Sequence, residues 1–264
     1  MRIGFVGLGV QGLPLALNLV SAGHRLCGFD ISTEPLAILR QSGGDVSPSV
    51  AELAATCELV FVCVATDAQV IDVVAGSEGL TANGRAGLII VNHSTVAPAT
   101  TSRIIDAARA AKMRLVDAPV SGGAIGARER SMSFMVGGDD DVLNICDQLF
   151  RVSGSTILRT GAAGTATIGK LAHQVAIIGN ILAMAEGMRL GTAAGLEPET
   201  VKRIISGGLA RSYIAETWGD IKMAPHALPI YDKDLVNSIG LAKELGIDLP
   251  GAKLMREELV NIVP

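Results

Sequence analysis

The chain has 264 residues, of which 49% are apolar and 18% charged, with a formal net charge of −4. That length suits one large domain or two smaller ones, and the apolar share fills a core, which excludes disorder as the main theme. Neither the first 162 residues nor the remainder carries a basic excess, and aromatics are only 3%, so neither a nucleic-acid footprint nor a base-stacking platform is expected.

In chain order, short apolar runs alternate with helical patterns. RIGFV (2–6) reads as a strand, and a helix over Gln11–Ala22 closes at Gly23. RLCGFD (25–30) is the next strand, and Ser49–Thr56 a helix after a Ser-Pro start. LVFVCV (59–64) and LIIVN (88–92) are strands, and Ala97–Ala111 is a helix with Pro98 in its first turn, a favoured position for proline. RLVDAP (114–119) and SFMVGG (133–138) complete the strands. Several are apolar on both faces, as a sheet covered by helices on two sides requires. Such alternation predicts a doubly wound parallel sheet.

After about Gly161 no strand is expected. Leu171, Val175, Ile178 and Leu182 recur at helical spacing within 165–194, a helix of roughly 45 Å at ~1.5 Å per residue. Further helices are expected at 198–207, 210–219, 232–245 and 250–261. The organisation is an α/β domain over 1–162 and an all-helical one over 163–264, joined by the long helix 165–194.

The opening MRIGFVGLG breaks into glycines too early for a signal peptide, and the apolar run Val175–Ala185, interrupted by Gly179 and Asn180, falls short of a bilayer span. A cytoplasmic protein with no membrane partner is expected. Cys27, Cys57, Cys63 and Cys146 form no C-x-x-C pair, which fits reduced, buried thiols. His24, His93, His173 and His226 show no metal-ligand spacing, so no metal is expected.

Gly7-Leu8-Gly9-Val10-Gln11-Gly12 is G-x-G-x-x-G, placed after a strand and opening a helix. Gly7 permits a tight turn, Gly9 lets the backbone approach a pyrophosphate, and Gly12 allows close helix–strand packing. The helix N-terminus then offers N–H groups to the anion. A glycine-rich turn without ligand is the plainer alternative. Asp30 ends the next strand, 18 residues beyond Gly12, where a carboxylate would accept hydrogen bonds from a ribose diol and repel a 2′-phosphate. NAD is therefore expected over NADP, and the first domain reads as Rossmann-like.

A dinucleotide crosses the carboxyl edge of the sheet. Two loops leave strands there: Asn92-His93-Ser94-Thr95 and Asp117-Ala118-Pro119-Val120-Ser121-Gly122-Gly123. The Ser121 hydroxyl with the N–H groups of Gly122 and Gly123 could hold a small carboxylate; spacing alone slightly favours an ordinary Pro/Ser/Gly turn. Lys170 stands early in the apolar helix, with His173 and Gln174 on the same face. Oxidising a hydroxy acid needs a general base for the hydroxyl proton. Burial and the positive end of a helix both disfavour a charged lysine, which suits that role near neutrality. A lysine snorkelling to the surface is the alternative.

Together these residues are similar to the β-hydroxyacid dehydrogenase family, which includes 3-hydroxyisobutyrate dehydrogenase. GFVGLGVQGLPLALNLVSAGH, DAPVSGG (117–123), GAAGTATIGKLAHQ (161–174) and KDL (233–235) match in order, as does the S-T-x-x-P stretch Ser94–Pro98. The resemblance implies a Rossmann-like domain, a long connecting helix, and a helical domain, like that of 6-phosphogluconate dehydrogenase, shaping the substrate site. It implies that Ser121, Gly122 and Gly123 bind the substrate carboxylate and hydroxyl, and that Lys170 is catalytic. It places Thr95 at the nicotinamide half, Val64-Ala65-Thr66 along the cofactor, Lys233 on the cofactor and Asp234 in support. It also implies a small carboxylate substrate and a homodimer or homotetramer.

The chain departs from the family at four points. His173 and Gln174 stand where asparagines are usual, and Arg130 where glycine is usual. The aromatic usually ahead of KDL aligns with His226, and a further C-terminal helix is missing beyond Pro264. Two other readings stay open: a dinucleotide-binding scaffold without turnover, and an imine reductase on the same fold. Lys170 argues against both.

Overall fold

The computed structural model describes residues 1–219 and 227–262, so the departures at His226 and Pro264 lie outside the described residues. The chain divides into two compact units, Met1–Lys170 and Leu171–Pro264.

The first unit alternates strands and helices: β1 (Arg2–Val6), α1 (Gly12–Ser21), β2 (Arg25–Phe29), α2 (Thr33–Gln41), β3 (Asp45–Val46), α3 (Val50–Thr56), β4 (Leu59–Val62), α4 (Asp67–Ala75), α5 (Leu80–Asn83), β5 (Ile89–Asn92), α6 (Pro98–Ala110) and β6 (Arg114–Asp117). Six strands lie in the order β3-β2-β1-β4-β5-β6, all parallel. That is the doubly wound dinucleotide-binding order, which leaves a crevice at the carboxyl ends of β1 and β4, where the strand order reverses. Side chains alternate between two cores as a period of two demands. On β4, Leu59 and Phe61 enter one face, with Phe5, Leu15 and Phe150. Val60 and Val62 enter the other, with Val70, Ile90 and Ile104.

The sheet continues through β7 (Val120–Ser121), α7 (Gly123–Glu129), β8 (Met132–Gly137), α8 (Asp140–Arg151) and β9 (Gly154–Gly161). The core of the sheet is parallel as the alternation predicts, and at its edge β8 runs antiparallel to β6 and β7. The cause is the short connection. A parallel return needs a crossover that spans the sheet, and the seven residues of α7 reach only about 10 Å. The amphipathic α8 then turns Val142, Leu143, Cys146, Leu149 and Phe150 into the core, and β9 returns parallel to β8. Neither α8 nor β9 is expected from the sequence pattern.

One helix, α9 (Thr165–Ala193), carries the chain from the first unit into the second. Gly179 and Asn180 do not break it, so its length and mean hydropathy of 1.3 over an 18-residue stretch would also serve a membrane crossing. Part of its apolar surface is occupied in protein packing, while Ile168 and Leu190 are exposed. Ile181 and Met184 join one cluster with Ile214, and Ile178 joins another with Leu235, Ala252 and Met255. The second unit adds α10 (Pro198–Gly207), α11 (Tyr213–Glu216), α12 (Ala227–Glu244), α13 (Pro250–Glu257) and α14 (Leu259–Ile262). The expected helix over 210–219 shrinks to the four residues of α11, and α12 begins five residues before its expected start.

Candidate active site

The glycine-rich turn has the geometry its three glycines suggest. Gly7 adopts φ +90°, and a β-carbon there would stand 2.3 Å from the Cys63 carbonyl oxygen. A β-carbon on Gly12 would lie 2.0 Å from the Gly7 oxygen, whereas one on Gly9 would meet nothing within 4 Å. So two glycines are demanded by protein packing, and the third leaves open backbone. Val10 and Gln11 sit at the rim of this turn, and the start of α1 has neither a side-chain cap nor an acidic first turn, the state that suits an incoming phosphate. Asp30 closes the loop. Its carboxylate accepts from Leu8 N–H at 2.6 Å and Ser32 N–H at 2.8 Å. Each oxygen keeps lone pairs for a ribose hydroxyl. The residues present fit a bound dinucleotide.

The next two loops are tied together. Ser94 Oγ accepts from Val64 N–H at 2.9 Å, and the Asn92 side chain bonds both ways with the Ser94 backbone. Ala65 and Thr66 are exposed at the start of α4, where Thr66 and Gln69 form a reciprocal capping box. Asp67 accepts from Ala97 N–H and Thr100 Oγ1. Thr95 therefore stands between anchored neighbours.

His93 does not face this loop's open side. It is buried, stacked 5.1 Å from Phe61 and ringed by Phe5, Phe134 and Phe150. Its Nδ1 donates to the Ala118 carbonyl at 2.6 Å, so the neutral ring carries its proton there. Burial pushes its pKa down to about 4, against the pull of that hydrogen bond. The thiols behave alike: burial drives Cys63 and Cys146 up to about 12, which leaves them protonated and inert.

The DAPVSGG stretch ends β6, forms β7 and opens α7. Ser121 is half-buried, while Gly122 and Gly123 are exposed with φ +129° and +61°. Arg130, where glycine is usual, keeps φ +56° at the end of α7. The Arg130 side chain therefore stands on a left-handed backbone. Asp117, to which the motif alone assigns no role, is fully buried. Its carboxylate accepts from Gly164 N–H at 2.7 Å, Thr167 N–H at 2.7 Å and Thr167 Oγ1 at 3.1 Å. Burial raises its pKa, and those hydrogen bonds oppose the rise. Lys170 follows three residues after Thr167 on α9 and is only 7% exposed.

Within the second unit, a polar chain runs through a buried setting. Gln174 Nε2 donates to Asp234 at 2.6 Å, and Lys233 Nζ donates to the other Asp234 oxygen at 2.9 Å. His173 Nδ1 donates to Gln174 Oε1 at 3.2 Å. Gln174 and Asp234 are both buried, so each satisfies the other's polar groups. Among the described residues no group of three His, Cys, Asp or Glu gathers as a metal site.

Strand order, glycine turn and strand-end carboxylate define a dinucleotide-binding protein of the Rossmann type. Residues 2–168 match the NAD binding domain of 6-phosphogluconate dehydrogenase, and 164–262 the NAD-binding domain of NADP-dependent 3-hydroxyisobutyrate dehydrogenase. The chain is 35% identical over 263 residues to 2-hydroxy-3-oxopropionate reductase of Escherichia coli, covering 97% of this chain and 89% of that one. It is 27% identical to mitochondrial 3-hydroxyisobutyrate dehydrogenase of Mus musculus, over 93% of this chain and 74% of that one. The solved structure of Mycobacterium tuberculosis 3-hydroxyisobutyrate dehydrogenase with L-serine superposes with a TM-score of 0.86 at 25% identity, covering 99% of this chain and 94% of that one. The chain belongs to the β-hydroxyacid dehydrogenase family of NAD(P)-binding oxidoreductases.

Proposed function

We propose that the protein interconverts a short β-hydroxy acid and its semialdehyde or keto acid with NAD, and that Lys170 carries the proton. The observation that supports this most is a buried lysine three residues past the point where α9 is bonded to the end of β6, the strand that leads into Ser121-Gly122-Gly123. When bound, NAD takes up or supplies the hydride at its nicotinamide ring. In the oxidative direction the neutral Lys170 amine takes the hydroxyl proton as the carbon–hydrogen bond breaks, and in the reductive direction the ammonium returns it. Its charge also stabilises a developing alkoxide. Ser121 and the N–H groups of Gly122 and Gly123 hold the substrate carboxylate. Gly7, Gly9 and Gly12 admit the pyrophosphate, with Leu8, Val10 and Gln11 completing the turn, and Asp30 takes the ribose diol. We extend the reading to Val64-Ala65-Thr66, Thr95 and Lys233 as cofactor contacts, and to His173 and Gln174 as substrate contacts.

The preference for NAD rests on Asp30, a carboxylate held at the end of β2 beside the strongly exposed Ile31. The test follows NADH and NADPH absorbance across a panel of small hydroxy acids and semialdehydes. The expected outcome is turnover of at least one panel member, with kcat/KM for NADH ~10-fold or more above NADPH, about 1.4 kcal/mol. Tight NADH binding without turnover anywhere on the panel would favour a scaffold, and an NADPH preference would overturn the assignment of Asp30.

A further inference from the structure

We propose that Asp117 is a positioning residue for Lys170: it clamps the first turn of α9 to the end of β6 and so sets where the lysine amine stands relative to the Ser121-Gly122-Gly123 loop. The proposal rests on the reading of Lys170 as proton carrier.

Three observations carry it. The first is the bonding pattern. A carboxylate with no exposure accepts two backbone N–H groups, from Gly164 and Thr167, and the Thr167 hydroxyl. These groups bracket the start of α9, whose first N–H groups have no partner within the helix. A buried carboxylate is costly unless it is bonded in this way, and its charge favours the helix N-terminus.

The second is the space made for it. Gly137 on β8 lies opposite Asp117 in the antiparallel register. A β-carbon there would come within 2.5 Å of the Asp117 carboxylate, 2.7 Å of the Ala162 carbonyl and 3.0 Å of Thr165 Oγ1. The side chain missing at Gly137 is what lets the strand end and the helix start meet.

The third is geometric economy. Asp117 is four residues before Ser121 on one chain segment, and its bonded partner Thr167 is three residues before Lys170 on the other. Thr167 is further held by Thr101 Oγ1 at 3.1 Å. One side chain thus links the carboxylate-binding loop to the lysine through short, stiff stretches of backbone. Displacements near 1 Å at a reacting centre cost as much as ~100-fold in rate.

The test compares Asp117→Asn, Gly137→Ala, Lys170→Ala and the double variants carrying Lys170→Ala, in the full chain. Asparagine keeps the size of Asp117 but turns an N–H against an N–H. Expected for Asp117→Asn is a kcat lower by ~10- to 100-fold, with the NADH dissociation constant, read by fluorescence, within about twofold of wild type. In the Lys170→Ala background, Asp117→Asn should cause no further loss, because there is no amine left to position. An equal loss in both backgrounds would assign Asp117 to general structural support and overturn the proposal, as would near-normal kcat in Asp117→Asn itself. If that variant loses its thermal unfolding transition, Gly137→Ala carries the same comparison, since it displaces the carboxylate without altering its chemistry. Near-normal turnover of Lys170→Ala alone would instead remove the reading of the lysine, an outcome separate from the other two.

Discussion

A histidine enclosed by phenylalanines is a liability in acid. His93 is neutral in the folded protein, with its pKa pushed to about 4 by burial, while the unfolded chain takes up that proton near pH 6.5. Between those values the unfolded state binds more protons, so stability falls as pH drops from about 6.5 towards 4, by about 3 kcal/mol in all. Asp117 works in the opposite sense. Its raised pKa means the folded state holds a proton more readily, so its contribution is lost as pH rises. Urea midpoints measured across pH on wild type and on His93→Leu separate the two: the difference curve should shrink over the His93 window, and parallel curves would contradict this account. Arg130 offers a second check. A side chain in the left-handed region costs about 1–2 kcal/mol, of which glycine's extra freedom in the unfolded chain returns about 0.5–1. Arg130→Gly should therefore raise stability by about 0.5–1 kcal/mol, less the weak Arg130–Ser21 hydrogen bond; a lower melting temperature would show that the bond outweighs the strain. Sequence comparison marks this position as unusual, and only the dihedral angle shows that Arg130 occupies the left-handed region.

At the scale of elements, legibility followed burial. The strands β1, β4 and β5 are apolar on both faces and stand out as unbroken runs. In contrast, β9 is mostly exposed along GSTILRTG and is held by its backbone ladder to β8, so it has no apolar pattern to read. The case of α8 differs. Its apolar residues fall at helical spacing behind two first-turn aspartates, a signal that periodicity and charge placement could have found. The sequence did suggest a parallel sheet, and the reversal at β8 depended on the brevity of α7 rather than on any residue in β8. This element pair also carries stability. Phe150 is buried and stacked 5.1 Å from Phe134, so Phe150→Ala should cost about 3–5 kcal/mol. Urea unfolding checks it, and a cost under about 1 kcal/mol would mean that α8 is not part of the core.

For the whole molecule, the parts of the candidate site that stand out in the sequence are those whose members are neighbours in it. The glycine turn and the DAPVSGG loop each fit within seven residues, and Lys170, His173 and Gln174 share one helix. What stayed hidden joins residues far apart: Asp117 with Gly164 and Thr167, 47 and 50 positions away, and Gln174 with Asp234, 60 away. Each pairing depends on the fold being complete, and no local spacing announces it. Gln174 can be picked out by its spacing from Lys170, but its bonds to Asp234 and His173 exist only in the fold. The central claim is that one amine passes the proton while a carbon faces the nicotinamide. The most direct measurement is a crystal structure with NAD and a substrate or product carboxylic acid bound. The expected result is Lys170 Nζ about 2.6–3.2 Å from the substrate's hydroxyl or carbonyl oxygen, with the acid group on Ser121-Gly122-Gly123. A Lys170 amine directed elsewhere, with another group on that oxygen, would contradict it.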